Sequence, residues 1–562
     1  MRWTIKPKPE TEKSLHLQKA INVSKPIADL LVQRGITNFE QAKSFFRPSL
    51  DQLHDPFLMK DMDLAVERLE KAISTHERIM VYGDYDVDGT TSVALMSSYL
   101  KSFYPNVTTY IPDRYQEGYG ISYQGIDYAS DNDFSLIIAL DCGIKALDKI
   151  DYAKEKGIDF IICDHHRPGT EIPKATAVLD PKRSDCEYPF KELCGCGVGF
   201  KLIQAYHTKN GGDFNQLIPY LDLVATAIGA DIVPVNGENR ILAYYGLQVI
   251  NSKPRPGFKA LIAQTKKTTL TITDVVFIIA PRINAAGRMK HALYAVDLLT
   301  QDNLKDAQAY AEEIEAFNQD RREADKSITV EALAQIKENK EEEQFTTVVY
   351  DSNWHKGVIG IVASRLTETY YRPTLVFTKS GDKLAASARS VVGFDVYNAL
   401  EACAEFIEQF GGHKYAAGLT LTPENYPKFK TKFEEVVKNS IDPKLLTPEI
   451  KIDTQISFDA ITPNFNAVLK QFAPFGPENR APVFMTEKVN DTGYAKCVGA
   501  DESHLKCAFT DSQKQFNAIG FNLGSKLPII DNKNTVSIVY NLDENEWNGN
   551  VSLQLRLKDI GE

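Results

Sequence analysis

From Ile79 onward, short apolar runs alternate with stretches of helical periodicity. RIMVYGD precedes TTSVALMSSYLKSFY; VTTYIPD follows; FSLIIALD precedes IKALDKIDYAKEKG; DFIICDHH and TAVLDP come next. Runs that are apolar at consecutive positions predict strands buried on both faces, and the amphipathic stretches between them predict crossover helices. The pattern is that of an α/β domain built on a parallel sheet, in which ligands bind beyond the carboxyl ends of the strands. Before it, KPIADLLVQRGITNFEQAKSFF has helical spacing broken at Gly35, which predicts a small helical preamble without chemistry. After it, residues 303–343 contain neither Pro nor Gly, are rich in charge and repeat apolar residues at three and four, predicting one or two long solvent-facing helices that join domains.

A second, smaller α/β unit follows, with QFTTVVYD and PTLVFTK as strands and GVIGIVASRLTETY and DVYNALEACAEFIEQF as helices. The rest is strand-rich: EIKIDTQISF, HLKCAFT, QFNAIGFN, TVSIVYNL and VSLQLRL, separated by turn residues, fit a small OB-like β-barrel. The expected organisation is therefore a preamble over 1–60, a catalytic α/β domain over 61–302, a connecting helix over 303–343, a second α/β domain over 344–445 and a barrel over 446–562.

At 562 residues the chain is too long for one core, and 43% hydrophobic with 25% charged residues is ordinary for a folded protein. MRWTIKPKPETEKS carries no apolar segment after its basic residues, so no signal peptide is read there, and no apolar run is long enough for a bilayer. The 8 cysteines are scattered, which points to reduced thiols and a cytoplasmic protein. Cys194 and Cys196 have no partner pair at zinc-finger spacing, so a structural zinc site is not read there. A net charge of −11 argues against indiscriminate nucleic-acid binding over the whole surface, but leaves room for a local basic groove.

The chemistry sits where the apolar runs end. The first closes in Gly83-Asp84-Tyr85-Asp86-Val87-Asp88-Gly89, FSLIIAL closes in Asp141, DFIIC in Asp164-His165-His166, and the apolar stretch DLVATAIGA in Asp231. A single aspartate at such a place is usually a helix cap or a solvated loop residue. Several together are a collection of like charges that needs a cation. Oxygen donors with an imidazole suit hard divalent ions and tilt the preference from Mg²⁺ toward Mn²⁺; six or more donors are enough for two ions acting on a phosphoester. The DYDVDG segment also opens like a calcium-binding EF-hand loop, but Leu95 stands where that loop needs a glutamate, and a strand precedes it where a helix is required.

GDYDVDGTTS, Asp141 in ALDCGI, the triplet Asp164-His165-His166 and Asp231 in GADIVP resemble, in order, the motifs of the DHH phosphoesterase family. PDRYQEGYGIS, CGCGVGFKL, PRINAAGRM, GVIGIVASRL, SARS, GGHKYAAG and PFGPENRAPVF are similar to its branch of exonucleases that degrade single-stranded DNA from a 5′ end; the similarity runs from about residue 50 to the C-terminus. The resemblance implies metal ligation by Asp84, Asp86, Asp88, Asp141, His165 and Asp231, with Asp141 as bridge between two Mn²⁺ or Mg²⁺ ions, Asp164 orienting the imidazoles and His166 facing the scissile phosphate. It implies that the second domain, of the DHHA1 type, lies across a cleft from the metals, with the barrel guiding the strand. It also implies work alongside a single-strand-binding protein and a helicase.

Arg114, Arg282, Asn284 and Arg288 fall within these motifs, and Ser387-Ala388-Arg389-Ser390 offers a guanidinium fork with two hydroxyls for a terminal phosphate. Tyr119 and Trp354 read equally as residues that stack on bases and as packing or core residues, and His413 follows two glycines in what reads as a tight turn that lets backbone approach a phosphate. Two other readings compete. One is a different DHH phosphodiesterase for short oligonucleotides or cyclic dinucleotides, which would lack the C-terminal barrel; the other is a non-catalytic scaffold, which would have lost its ligands.

Overall fold

The computed structural model describes residues 1–530, 534–547 and 549–561. The chain divides into two compact units. One comprises Trp3–Ile283, Ala295–Ala311 and Ile450–Glu562; the other comprises Met1–Arg2, Asn284–Tyr294 and Glu312–Glu449.

The first unit contains the expected parallel sheet. Its five strands lie in the order Val107–Tyr110, Arg78–Gly83, Phe134–Leu140, Asp159–Cys163, Ala177–Leu179. All neighbouring pairs are parallel. The central strands are buried along nearly their whole length, which is why they read as unbroken apolar runs. The helix Val87–Lys101 is buried on almost every side, and its small residues Gly89, Thr90, Thr91, Ser92 and Ala94 let other elements pack close around it. The ladder sets the site: Gly83 pairs with Leu140, Leu140 with Cys163 and Cys163 with Leu179, so these four residues form one row across four strands. The residue after each is an aspartate: Asp84, Asp141, Asp164 and Asp180.

The same unit contains the barrel. Strand Phe484–Asp491 pairs with Val536–Trp547 and with His504–Thr510; Val536–Trp547 pairs with Asn550–Gly561, that strand with Gln515–Gly520, and Gln515–Gly520 with His504–Thr510. The pairings return to their starting strand, giving the closed five-strand circuit of an OB-fold. Phe484–Asp491 was not among the strands read from sequence. A register shift between Thr486 and Val489 breaks its alternation, and that is the signal such reading depends on.

The preamble forms three helices, Thr11–Ile21, Lys25–Val32 and Phe39–Phe46. Their apolar faces supply Leu17, Ile27, Leu30 and Leu31 to one core with Phe484, Phe509 and Tyr540 of the barrel. Arg240, from the helix Gly237–Ser252, donates to the carbonyls of Phe45, Phe472 and Ala473 and so ties the sheet domain to both. Among the described residues no helix is long and apolar enough to cross a membrane.

The second unit has a mixed sheet in the order Gln409–His413, Ala416–Leu421, Lys383–Arg389, Thr374–Ser380, Thr347–Tyr350. Residues 303–343 form a single helix, Leu304–Glu338. The stretch DVYNALEACAEFIEQF, expected to be one helix, is helical only over Val396–Glu401 with a short turn at Ala404–Phe406, and its end joins the strand Gln409–His413. Pairing with Ala416–Leu421 overrides its helical spacing. Gly411-Gly412-His413 accordingly lies on a strand and not in the tight turn expected of it. Gly412 has φ of 141°, and a Cβ there would collide with the backbone oxygen of Ala416.

Candidate metal centre

Asp141 adopts a left-handed backbone, with φ of 59°, immediately after its strand, and its N–H donates to the Cys163 carbonyl at 2.8 Å. A non-glycine residue there is a strained conformation that the surrounding ladder imposes. Asp86 caps the helix Val87–Lys101, accepting from Gly89 N–H at 3.0 Å. Asp88, two residues on, accepts from the backbone N–H groups of Gly195 and Cys196, both at 2.7 Å, at the start of the helix Gly195–Lys209. A helix N-terminus is a natural seat for a carboxylate, so the Cys-Gly-Cys-Gly segment orients Asp88. Gly195 is required for it: a Cβ would stand 2.6 Å from Asp141 Cβ and 2.7 Å from its Oδ1.

Asp231 does not come from a strand. It follows the helix Leu221–Ala230, and the chain leaves it through Ile232 with φ of 61°, an outlier for a β-branched residue. That apolar stretch was legible as buried, but periodicity alone does not separate a buried helix from a strand.

These elements converge on His165. Its Nε2 lies 3.1 Å from Asp141 Oδ1, 3.6 Å from Asp231 Oδ2 and 3.8 Å from Asp88 Oδ2. Two groups of ligand atoms, Asp141–His165–His166 and Asp88–His165–Asp231, each lie within 4.8 Å of one another and share His165. Asp84, Asp88 and Asp141 are buried to 1% exposure or less. Burial first, and then the neighbouring carboxylates, push all three well above the ordinary carboxylate range. Asp231 is raised to about 7 for the same two reasons, burial and the charge of Asp86. Burial, with the charge of His166, pulls His165 down to about 3, leaving it a neutral donor.

Without cations this is a costly arrangement. Asp141 Oδ1 and His165 Nε2 face each other at 3.1 Å, yet neither makes a hydrogen bond; nor does either carboxylate oxygen of Asp84, although the N–H groups of Tyr85 and Gly120 lie nearby. Buried donors and acceptors left in this state fit a site in which they point at a shared ion rather than at one another. Oxygen donors with one imidazole suit Mn²⁺ and Mg²⁺.

Asp164 plays a different part. Its Oδ1 accepts from the N–H groups of His165 and His166 and from the His166 ring at 2.8 Å, while Oδ2 accepts from Ile144 N–H. Burial would raise it, but the His166 hydrogen bond and charge outweigh that and hold it at about 2. Burial likewise opposes charge on His166, and the bond to Asp164 overcomes it, raising the imidazole to about 9. The other ring nitrogen of His166 is 3.1 Å from the Tyr119 hydroxyl. Tyr119 meets Tyr85 edge-on, and the Arg114 guanidinium lies over the Tyr85 ring at 4.1 Å. Arg114 and Tyr119 thus belong to the rim, and Tyr119 holds His166 as well as offering a ring face.

In the second unit, His413, Ala416 and Arg389 share one cross-strand row, and Gly411, Gly418 and Ser387 the next on that face. The glycines leave the surface beside Ser387 and Arg389 bare. Arg389 donates to Ser387 Oγ at 3.0 Å and packs against Gly360, where a Cβ would stand 3.1 Å from Arg389 Nη2. Ser390 does not join them, since its hydroxyl donates to Phe394 O. Arg282 is buried at 7% exposure with Nη1 on Ile278 O, Arg288 donates to Gly357 O, and Asn284 lies on the same helix, Ala280–Met289. Trp354 is a core residue, 5% exposed and bonded to Glu331, so it is not a stacking platform.

Sequence reading missed Asp180, fourth in the aspartate row. It is fully buried, its Oδ1 accepts from Lys182 N–H, and burial raises it to about 7. TAVLDP carried the signal of a strand ending in a carboxylate. The backbone N–H groups that seat Asp88 left no side-chain signal at all.

A parallel sheet delivering carboxylates and a DHH triplet to one rim, with a separate mixed sheet and an OB-fold, is the architecture of a DHH-type protein. Family models describe the same parts: DHH family, N-terminal domain, over residues 78–228; DHHA1 domain over 342–439; RecJ OB domain over 452–559. The chain belongs to the RecJ family. It is 37% identical over 563 residues to the single-stranded-DNA-specific exonuclease RecJ of Bacillus subtilis (strain 168), covering 100% of this chain and 70% of that one. Identity to RecJ of Salmonella typhimurium is 35% over 529 residues, covering 89% and 90%. The crystal structure of RecJ from Thermus thermophilus in complex with Mn²⁺ superposes with a TM-score of 0.86 at 27% identity, covering 100% of this chain and 79% of that one.

Proposed function

We propose that this chain is a metal-dependent exonuclease specific for single-stranded DNA, hydrolysing phosphodiesters from the 5′ end and releasing mononucleotides during DNA repair and recombination. The observation that carries the reading is the pair of ligand groups sharing His165 at the end of the parallel sheet. The names of the RecJ relatives support the substrate, and the Mn²⁺ and Mg²⁺ complexes of Thermus RecJ support the cofactor. Asp84, Asp86, Asp88, Asp141, His165 and Asp231 would hold two such ions, with Asp141 between them. When bound, the ions supply an activated water and stabilise the displaced oxygen. Asp88 is kept in place by the Gly195 and Cys196 N–H groups, and Asp164 keeps His166 charged and aimed. With substrate in place, His166 would exchange its Nε2 contact with the Tyr119 hydroxyl for a hydrogen bond to the scissile phosphate, or pass that proton to the leaving oxygen.

The barrel supports a path for the strand. Lys496 pairs with Lys506, Lys506 with Ile519 and Ile519 with Arg556, so three cations lie in one outward row. Phe521, half-exposed, lies beneath Arg556 at 5.3 Å and meets His504 edge-on. Cations spaced along an exposed aromatic are what a single strand needs, and they allow an acidic protein to bind DNA locally. Ser387, Arg389 and His413 form the candidate reader of the 5′ phosphate. A single-strand-binding protein and a helicase are the proposed partners, and the cytoplasm the proposed compartment.

The test is digestion of a single strand labelled at either end, in Mn²⁺ and in chelator. Mononucleotide released first from the 5′ label, only with metal, is expected. Release first from the 3′ label, or equal rates on duplex, would overturn the reading.

A further inference from the structure

The helix Val87–Lys101 begins at the metal ligands and ends at a cavity of about 490 Å³. Fifteen residues at about 1.5 Å each put that cavity roughly 22 Å along the helix from the carboxylate rim. Three cations line it, Lys101, Lys253 and Arg255, against one acid, Asp302. Arg255 is fixed in the wall: it holds both oxygens of the fully buried Asp222, at 2.7 and 2.8 Å, and donates to Leu299 O. Its charge is thereby matched. Neither lysine forms an ion pair among the described residues, although Asp297 lies near enough for Lys101 to lower its pKa. The cavity thus has two ammonium groups without an ion-pair partner among the described residues, against the single acid Asp302, and Ser98 and Ser102 share its lining. The remaining lining is mixed: Tyr220, set edge-on to Tyr99, gives an apolar face with Pro219, Pro256 and Leu299, and Thr300 and Gln301 are polar.

Two ammonium groups suit a dianion, and an apolar face suits a planar ring. The volume is that of a small-molecule site, not of a groove that a polymer follows. We infer that this cavity binds a phosphate monoester, specifically a nucleoside 5′-monophosphate, at a site separate from the metal centre. The nucleoside part rests on the proposed exonuclease reading, because that reaction releases such molecules; the phosphate part does not.

The test is calorimetric titration of the full chain with deoxyadenosine 5′-monophosphate in the presence of chelator, so that no cation at the rim can bridge a phosphate. Inorganic phosphate, deoxyadenosine and a long oligonucleotide are titrated in parallel. The wild-type chain is expected to bind the monophosphate more tightly than inorganic phosphate, and deoxyadenosine not measurably. The double variant Lys101→Ala, Lys253→Ala should weaken monophosphate binding by about tenfold or more, and Lys101→Arg, Lys253→Arg should retain it. Oligonucleotide affinity should be the same in all three proteins. Equal monophosphate binding by wild type and the alanine variant, or none by either, overturns the site. Equal affinity for inorganic phosphate and the nucleotide overturns the nucleoside assignment. Oligonucleotide affinity falling in step with monophosphate affinity would make the cavity part of the strand path and overturn it as a small-molecule site. Each outcome is read from binding, so it stands apart from any failure of the nuclease reading.

Discussion

The carboxylate rim of the parallel sheet and the outer face of the barrel both present charge, but under opposite conditions. At the rim, Asp84, Asp88 and Asp141 are almost wholly buried, Asp88 and Asp141 face one imidazole, and the Asp84 oxygens and Asp141 Oδ1 lack the hydrogen bonds that buried polar groups ordinarily make. On the barrel, Lys496, Lys506 and Arg556 are exposed and lie in a row across neighbouring strands. Buried like charges in a low-dielectric site interact strongly and depend on each other; exposed charges in water interact weakly and contribute one by one. The rim should therefore fail as a unit when one member is removed, and the barrel should lose affinity in small steps.

The largest effect is expected at Asp141. Asp141→Ala should lower nuclease activity by more than about 100-fold in Mn²⁺, because the residue belongs to one ligand group, faces the His165 that both groups share, and acts only through the ions. Removal of a buried carboxylate from a crowded cluster should leave the chelated protein no less stable in a thermal melt. Unfolding at a clearly lower temperature would mean that Asp141 is structural. Gly195→Ala comes next. The added methyl group would press on the Asp141 carboxylate while Gly195 N–H holds Asp88, so manganese affinity and activity should both fall by about 10- to 100-fold. A manganese titration followed by activity reads this, and unchanged affinity would show that the helix start yields freely.

Arg389 stands between the two regimes, half-buried and with its charged form disfavoured by burial alone. Arg389→Ala should weaken binding of 5′-phosphorylated single strands by about 1–3 kcal/mol and leave 5′-hydroxyl strands nearly unchanged. Lysine should restore only part of the loss, for want of the fork. Equal weakening of both strands would make Arg389 a general backbone contact. The smallest effect is expected on the barrel. Lys506→Ala should weaken single-strand binding severalfold and reduce the slope of log affinity against log salt by about 0.7, the share of one released counterion. A loss as large as that at the rim, or one independent of salt, would contradict the picture of additive exposed charges.

The parallel sheet was legible because strands buried on both faces leave unbroken apolar runs, and those runs made the terminal residues stand out. Asp84, Asp141 and the DHH triplet were found in this way. Asp231 was found too, though it ends a helix: burial is visible in composition, and periodicity in so short an apolar run is not. The failures share a cause. The end of DVYNALEACAEFIEQF looks helical by spacing but is claimed by a partner strand, Phe484–Asp491 hides behind a register shift, and Trp354, open in the sequence between a stacking platform and a core residue, is assigned to the core by its bond to Glu331. In each case a contact distant in sequence decided the outcome.

By itself, the sequence determined which residue types stand at the strand ends, and hence that a cluster of carboxylates and imidazoles would form and would need hard divalent cations. It also determined the order of the domains, since each has its own period of apolar residues. Only the tertiary structure decided that Gly83, Leu140, Cys163 and Leu179 share one row, which brings Asp180 into line with the recognised aspartates. Only it decided that the two histidines part company, His165 toward the carboxylates and His166 toward Asp164 and Tyr119. And only it decided that backbone N–H groups, which every residue carries, seat Asp88. The physical reason is that burial and periodicity are properties of the local chain, whereas register, facing and backbone hydrogen bonding arise between segments far apart in sequence, which no local pattern records.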